Sequence, residues 1–202
     1  MHSFVESCEI MFESLAVYLR EGAGLRDEEL DLVRQVSIER KLRKRQYLLQ
    51  EGDVSIYNCF VVKGCLRLYR IGKDGAEHIL NFAVENWWIS DCESFSTGLP
   101  AQGTIDALED SEVILIKKDD YEALIRKIPK FQLFKERQDA KKFNATQRRI
   151  LSNISETAEE RYVNFVKLYP ELYSRVPLHM VASFLGVTRE TLSRVRQQYA
   201  KS

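Results

Sequence analysis

No run of about 18 consecutive apolar residues occurs anywhere in this 202-residue chain, so the sequence offers no transmembrane helix. Nor does it carry net charge. Thirty Lys and Arg balance 30 Asp and Glu, and whole-chain electrostatics point to no polyanionic partner. Cysteine is sparse: Cys8, Cys59, Cys65 and Cys92 stand apart, with no C-x-x-C pair. That argues against zinc and dithiol motifs and for buried, reduced thiols rather than disulfides. The opening MHSFVESCEIMFESL has no basic n-region and holds glutamates within its apolar part. It does not read as a secretory signal, and a cytoplasmic location is expected. No nucleophile–base pair, metal-ligand cluster or glycine-rich phosphate loop stands out. Asp91 and Glu93 are near neighbours, but nothing sets them as a catalytic pair, and neither an enzyme nor a metal site is expected.

The balanced charge hides an asymmetry. Residues 175–202 hold Arg175, Arg189, Arg194, Arg196 and Lys201 against Glu190 alone, a net +4, which leaves −4 on residues 1–174. A basic end on an acidic body suits a nucleic-acid reader joined to another module. Within that end, PLHMVASFLGVTRETLSRVRQQ (177–198) reads as two short helices and a tight turn. Pro177 suits a first helical position. Gly186 suits the left-handed residue that ends a helix, and Thr188 suits the next N-cap. Val181, Leu185, Val187, Leu192 and Val195 fall inward, with small Ala182 where the helices cross. This is helix-turn-helix spacing, whose second helix enters the DNA major groove. Outward then fall Arg189, Glu190, Ser193, Arg194 and Gln197. Arg takes guanine O6 and N7 together, and Glu accepts from the cytosine amino group. Arg189 and Arg194 are expected on guanines, and Glu190 on a cytosine or a water-bridged base. Thr188, Thr191, Ser193 and Arg196 are expected to position the helix on phosphates.

Upstream, residues 3–20 form an amphipathic helix through Phe4, Cys8, Met11, Phe12, Leu15 and Leu19. A shorter helix covers 27–36, with Leu30, Val33 and Leu25 inward. From 37 to 117 the period changes to two. About eight short strands with glycine turns follow, among them the Lys73-Asp74-Gly75 hairpin, and they predict a β-barrel or sandwich. The stretch 87–100 is less regular. Lys118-Asp119-Asp120 is expected to cap a short helix over Tyr121, Leu124 and Ile125. Residues 131–154 then form a long helix. Along it Leu133, Glu136, Ala140, Phe143, Gln147, Ile150 and Ile154 keep a 3-4 repeat, an imperfect coiled-coil seam suited to a dimer. Ser155 or Thr157 caps a further helix, 159–169.

Taken in order, these elements give a β-roll, a long helix and a helix-turn-helix. The marker segments are Leu49-x-Glu51-Gly52-Asp53, Phe60-Val61-Val62-Lys63-Gly64, Lys73-Asp74-Gly75-x-Glu77-x-Ile79-Leu80 and Thr188-Arg189-Glu190-Thr191-Leu192-Ser193-Arg194. In them the chain resembles the Crp/Fnr family of bacterial transcription regulators. The resemblance implies an α+β fold: a double-stranded β-helix (jelly-roll, cyclic-nucleotide-binding-like) domain at 1–118, a dimerisation helix at 119–154 and an all-α helix-turn-helix at 155–202. It also implies a symmetric homodimer on a palindromic double-stranded operator, with RNA polymerase a further candidate partner and no membrane association.

The ligand site departs from the family pattern. Cyclic-nucleotide-binding members carry a Phe-Gly-Glu stretch and an Arg-Ser/Thr-Ala stretch around the cyclic phosphate. These align with Ile89-Ser90-Asp91 and Ala101-Gln102-Gly103, and no Arg or Lys occurs from 92 to 116. A buried phosphodiester without a cation is costly, so cAMP is not an expected cofactor. Arg67 or Arg70 substitutes only if its strand face points inward. One N-terminal cysteine argues against an iron–sulfur sensor, and His78 is a poor haem ligand. Trp87 and Trp88 either fill the roll or, with Ser90, Asp91 and Gln102, line a pocket for an unknown small-molecule effector. Where the chain ends, soon after the reading helix, no wing is expected. The expected function is a sequence-specific DNA-binding regulator independent of cAMP. The alternative is a signalling or scaffold module that binds a ligand or protein through its roll and no DNA.

Overall fold

The computed structural model describes residues 2–199, with side chains from Met11 to Tyr199. Phe4 and Cys8, expected on the inner face of the first helix, lie outside the described side chains. Two helices, α1 (His2–Ala23) and α2 (Asp27–Val36), precede the strands. These are β1 (Ser37–Leu42), β2 (Tyr47–Leu49), β3 (Tyr57–Lys63), β4 (Leu66–Ile71), β5 (Glu77–Ala83) and β6 (Trp88–Ile89), then, after α3 (Cys92–Thr97), β7 (Thr104–Ala107) and β8 (Ser111–Lys117). Helices α4 (Lys118–Lys127), α5 (Pro129–Ser155), α6 (Ala158–Leu168), α7 (Pro170–Tyr173), α8 (Leu178–Phe184) and α9 (Arg189–Tyr199) follow.

The strands pair antiparallel in two four-stranded sheets, ordered β1-β8-β3-β6 and β2-β7-β4-β5. Alternation along each strand sends its side chains to two different cores. On β3, Cys59 and Val61 point between the sheets, while Phe60 points out to the helices. On β8, Val113 and Leu115 face inward, and Ile114 and Ile116 face α1 and α4. The two central strands β3 and β8 are therefore buried on both faces, and β8 reads as a nearly continuous apolar run. Gly64, at the corner between β3 and β4, has φ 109°. A Cβ there would stand 2.7 Å from the Ser111 Cα, so only glycine fits.

A third core joins the roll to the C-terminal helices. Tyr69, Ile79, Phe82 and Val84 on the outer side of β4–β5 pack with Tyr162, Phe165, Leu172, Val176, Val181, Ala182, Leu185, Leu192 and Val195. Strand β5 is a sheet edge, and α8 covers it. The Ile79 N–H donates to Ser183 Oγ (3.0 Å), and that hydroxyl donates to the Glu77 carbonyl (2.9 Å). Two of the edge's backbone groups are thereby satisfied. Arg175 adds a charged tie, donating to Glu85 (2.7 and 3.0 Å) and to Glu109.

Several local expectations change. The irregular stretch 87–100 contains β6 and α3. The latter is capped by Asp91, whose Oδ1 accepts from Ser94 N–H at 3.0 Å, and is closed by Gly98 at φ 77°. Helix α4 has Lys117 as N-cap with no side-chain cap bond; Asp119 and Asp120 sit in its first turn, where they meet the positive end of the helix dipole. Pro177 is an N-cap rather than a first helical residue, its carbonyl accepting from Met180 and Val181. Thr157, not Ser155, caps α6 in a reciprocal box with Glu160. Cys59 and Cys65 are buried, but Cys92 is exposed, because α3 turns its side chain outward.

Candidate nucleic-acid interface and effector groove

The turn before α9 is fixed by its own backbone. Gly186 has φ 66°. Its N–H reaches the Ser183 carbonyl (3.2 Å), and the Val187 N–H reaches the Ala182 carbonyl (3.0 Å). This pair of bonds is a Schellman closure. Arg161 on α6 donates to the Leu185 carbonyl (2.7 Å) from behind the turn. Thr188 Oγ1 then accepts from the Thr191 N–H (3.1 Å) and starts α9.

Helix α9 is held by Leu192 and Val195, 0% and 7% exposed, with Val187 half-buried beside them. Arg189, Glu190, Arg194 and Gln197 are exposed, and Thr191 and Ser193 are half-buried. Among the described residues, no hydrogen bond or ion pair engages the side chains of Arg189, Glu190 or Arg194. Arg196 points elsewhere, its guanidinium 5.7 Å from the centre of the Tyr173 ring on α7. The arrangement is a rigid helix with one apolar stripe spent on its own domain and one face of free charged donors and acceptors.

On the far side of β4–β5 a groove of about 240 Å³ opens between the roll and α5. Trp88, Ser90 and Asp91 line it; Trp87 and Gln102 do not. Trp87 turns the other way, against Tyr169 of the C-terminal helices (5.9 Å between rings). The Trp88 ring lies against Phe60 and Tyr121, filling the helix-side core rather than the interior of the roll. Asp91, at the position aligned with the family's ribose-binding glutamate, is 5% exposed and spent on capping α3.

The two strand arginines part company by parity. Arg67 is buried on the side of the C-terminal helices, between Asp106 (2.7 and 3.0 Å) and Glu77, with its guanidinium over Tyr69. Burial disfavours its charge, but the bonds to Asp106 and Glu77 outweigh burial and raise its pKa. Arg70 faces the groove with a buried Nε that has no partner among the described residues. Lys142 reaches the groove from α5. Sequence reasoning missed Lys142, because a lysine on a long exposed helix reads as solvation. The cations of this groove thus come from β4 and the long helix, not from the cassette segment.

Residues 39–128 match the family model of the cyclic nucleotide-binding domain. Over the longer chain, a curated protein of Rhizobium leguminosarum bv. viciae described as a "Probable transcriptional activator" is 22% identical over 169 residues, 78% of this chain and 69% of the relative. The structure of FixK2 from Bradyrhizobium japonicum superposes with a TM-score of 0.72 at 21% identity, covering 82% of this chain and 85% of that one. The catabolite activator protein of Thermus thermophilus gives 0.55 at 24% identity, covering 88% and 85%. CLP of Xanthomonas campestris, described as a c-di-GMP responsive global regulator, gives 0.71 at 15% identity, covering 87% and 92%. The chain is therefore a cyclic-nucleotide-binding-like roll followed by a long helix and a helical C-terminal region. Its fold is that of the FixK2 and CLP structures.

Proposed function

We propose that this protein is a homodimeric, sequence-specific DNA-binding transcription regulator that acts without cAMP. The observation that carries the reading is α9. Two buried residues anchor it, and Arg189, Glu190 and Arg194 stand outward with no structural partner among the described residues. The transcriptional description of the Rhizobium relative supports the same class. Arg189 and Arg194 take guanines and Glu190 a cytosine, with Thr188, Thr191, Ser193 and Arg196 on or near phosphates.

Dimerisation is supported by α5. Leu133, Phe143, Ile150 and Ile154 on one seam are 58%, 62%, 54% and 78% exposed in the single chain. Independence from cAMP is supported by the diversion of Asp91 to a helix cap and by the absence of Arg and Lys from 92 to 116. Any effector sits in the groove beside Arg70 and Lys142 and acts through β5. Leu80 lines the groove, its carbonyl accepts from Arg149 on α5, and neighbouring Ile79 is tied to α8. An occupant there changes how the long helices meet, and with them the separation of the reading helices.

The test is selection from a random duplex library with purified protein and no nucleotide, beside the Arg189→Ala/Arg194→Ala variant. Expected is an enriched palindrome with G·C pairs in each half-site, lost in the variant. Enrichment only with cAMP would overturn nucleotide independence, and none under either condition would overturn DNA reading.

A further inference from the structure

Arg67 on β4 is a buried arginine whose donors can be followed one by one. A guanidinium carries five N–H groups. Nε donates to Asp106 Oδ1 (2.7 Å), and Nη2 donates to Asp106 Oδ2 (3.0 Å) and to Glu77 Oε1 (3.3 Å). Nη1 donates to Glu77 Oε2, and its other N–H meets Met180 Sδ at 3.8 Å. Four donors therefore end on carboxylate oxygens and the fifth on a thioether, a weak acceptor. The side chain is only 8% exposed, so solvent does not make up for that weak bond.

Met180 stands on α8, the first helix of the helix-turn-helix, and packs against the core that joins α8 and α9 to the roll. One turn further along α8, Ser183 Oγ accepts from the Ile79 N–H (3.0 Å) and donates to the Glu77 carbonyl (2.9 Å). Glu77 is thus shared, its carboxylate on Arg67 and its carbonyl on α8. The chain has three methionines. Met1 lies outside the described residues, Met11 is 4% exposed, and Met180 is half-buried. Of the two described, Met180 is the one that a small oxidant in solution reaches, and its sulfur already lies against a guanidinium.

We propose that Met180 is an oxidation site, at which a hydroperoxide turns the thioether into a sulfoxide whose oxygen takes the fifth Arg67 N–H. A sulfur lone pair attacks the terminal peroxide oxygen, the S–O bond forms and the O–O bond breaks. The proton on the transferred oxygen passes to the leaving oxygen, which departs as water or an alcohol. Sulfur is oxidised and the peroxide reduced. The sulfoxide oxygen is a stronger acceptor than the thioether, and a bond from a guanidinium is charge-assisted. The flexible torsions of methionine let that oxygen turn toward Nη1. Methionine oxidation ordinarily puts a polar group into an apolar contact and loosens it. Here it ties α8, and with it the helix that follows, more firmly to the roll. The inference holds whether or not α9 reads DNA.

The experiment treats the full chain with hydrogen peroxide, then with dithiothreitol to reverse thiol oxidation. Peptide mass spectrometry, thermal melting and amide hydrogen exchange at Ile79 follow. Expected is a single added oxygen on Met180 and none on Met11. The melting temperature should rise by about 2–4 °C. The Ile79 amide, whose N–H rests on Ser183, should exchange about tenfold more slowly. Methionine sulfoxide reductases A and B together should restore the starting values. Met180→Leu should show none of these changes on peroxide treatment. Met180→Gln places an amide oxygen at the same point and should slow Ile79 exchange with no oxidant, which separates the tie from damage elsewhere. The proposal is overturned if Met180 of the folded protein stays unoxidised under conditions that oxidise it in the unfolded chain. It is equally overturned if the sulfoxide, or Met180→Gln, leaves Ile79 exchange unchanged or speeds it. Failure of the α9 reading looks different: no DNA sequence is selected, while the Met180 results stand.

Discussion

Truncating one seam residue on α5 tests the dimer quantitatively. Ile150 is 54% exposed and Phe143 62% exposed in the single chain. Fully burying such a side chain is worth roughly 1.5–3 kcal/mol, so covering the exposed half of Ile150 is worth ~1 kcal/mol. Two-fold symmetry buries each residue twice, which doubles the figure to ~2 kcal/mol, and an incompletely closed cavity brings the loss in Ile150→Ala to about 2–3 kcal/mol. That raises the dimer dissociation constant about 30- to 150-fold. Phe143→Ala should do at least as much. The control is Leu168→Ala on α6, where the side chain is 67% exposed but stands off the seam. If exposed apolar area alone drove association, this variant would weaken it as much as the others. Sedimentation equilibrium gives the three constants. The seam is wrong if Ile150→Ala and Phe143→Ala leave the constant within about threefold of wild type, or if Leu168→Ala moves it as far as they do.

Three further outcomes follow from the packing. Gly64→Ala and Gly186→Ala are the same change at positive φ with different surroundings: Gly64 meets the Ser111 backbone at 2.7 Å, whereas the nearest atom at Gly186 is 3.5 Å away. Urea denaturation should show a loss of about 3 kcal/mol or more for the first and about 1 kcal/mol for the second, and the reverse order would contradict the geometry. Burial disfavours the charge of Glu85, but bonds from Arg175 and the Gly64 N–H outweigh it and hold its carboxyl below the usual range. Its folded pKa lies below the unfolded value of ~4.3, so its contribution is full above that pH and fades as pH falls through the folded value. The melting temperature of wild type should therefore fall more steeply below about pH 4.5 than that of Glu85→Gln, and parallel curves would show that the tie contributes nothing. Burial pushes the Cys65 thiol up to about 12 and raises Cys59 as well, while Cys92 is exposed at the groove. A maleimide at neutral pH should mark Cys92 in the native protein and the two buried thiols only after unfolding, as peptide mass spectrometry would show. Native labelling of Cys59 and Cys65 would argue against the packed roll.

What was legible in the sequence divides along a physical line. Signals confined to a few neighbouring residues survive intact. Gly186 and Thr188 mark the turn before α9, Asp74-Gly75 marks the β4–β5 hairpin, and the 3-4 repeat of 133–154 marks the long helix, because each is a backbone requirement met locally. Helix α3 was missed because it is six residues long and its evidence is one cap, Asp91, and one closing glycine, Gly98. The groove was misread for a different reason. Whether Arg67 or Arg70 faces it depends on strand parity and on the register shift between Leu68 and Tyr69, which only the pairing with β5 reveals. Lys142 joins Arg70 at the groove because α5 folds back over the roll, bringing together residues 72 positions apart in sequence. Trp87 and Trp88, adjacent in sequence, meet different elements, one Tyr169 of the C-terminal helices and the other the helix-side core, since alternation along an extended segment sends neighbours to opposite faces. Backbone chemistry is thus written locally, whereas the company a side chain keeps is decided by strand register and by the return of distant helices. For this protein the reading helix belongs to the first kind, and the groove belongs to the second.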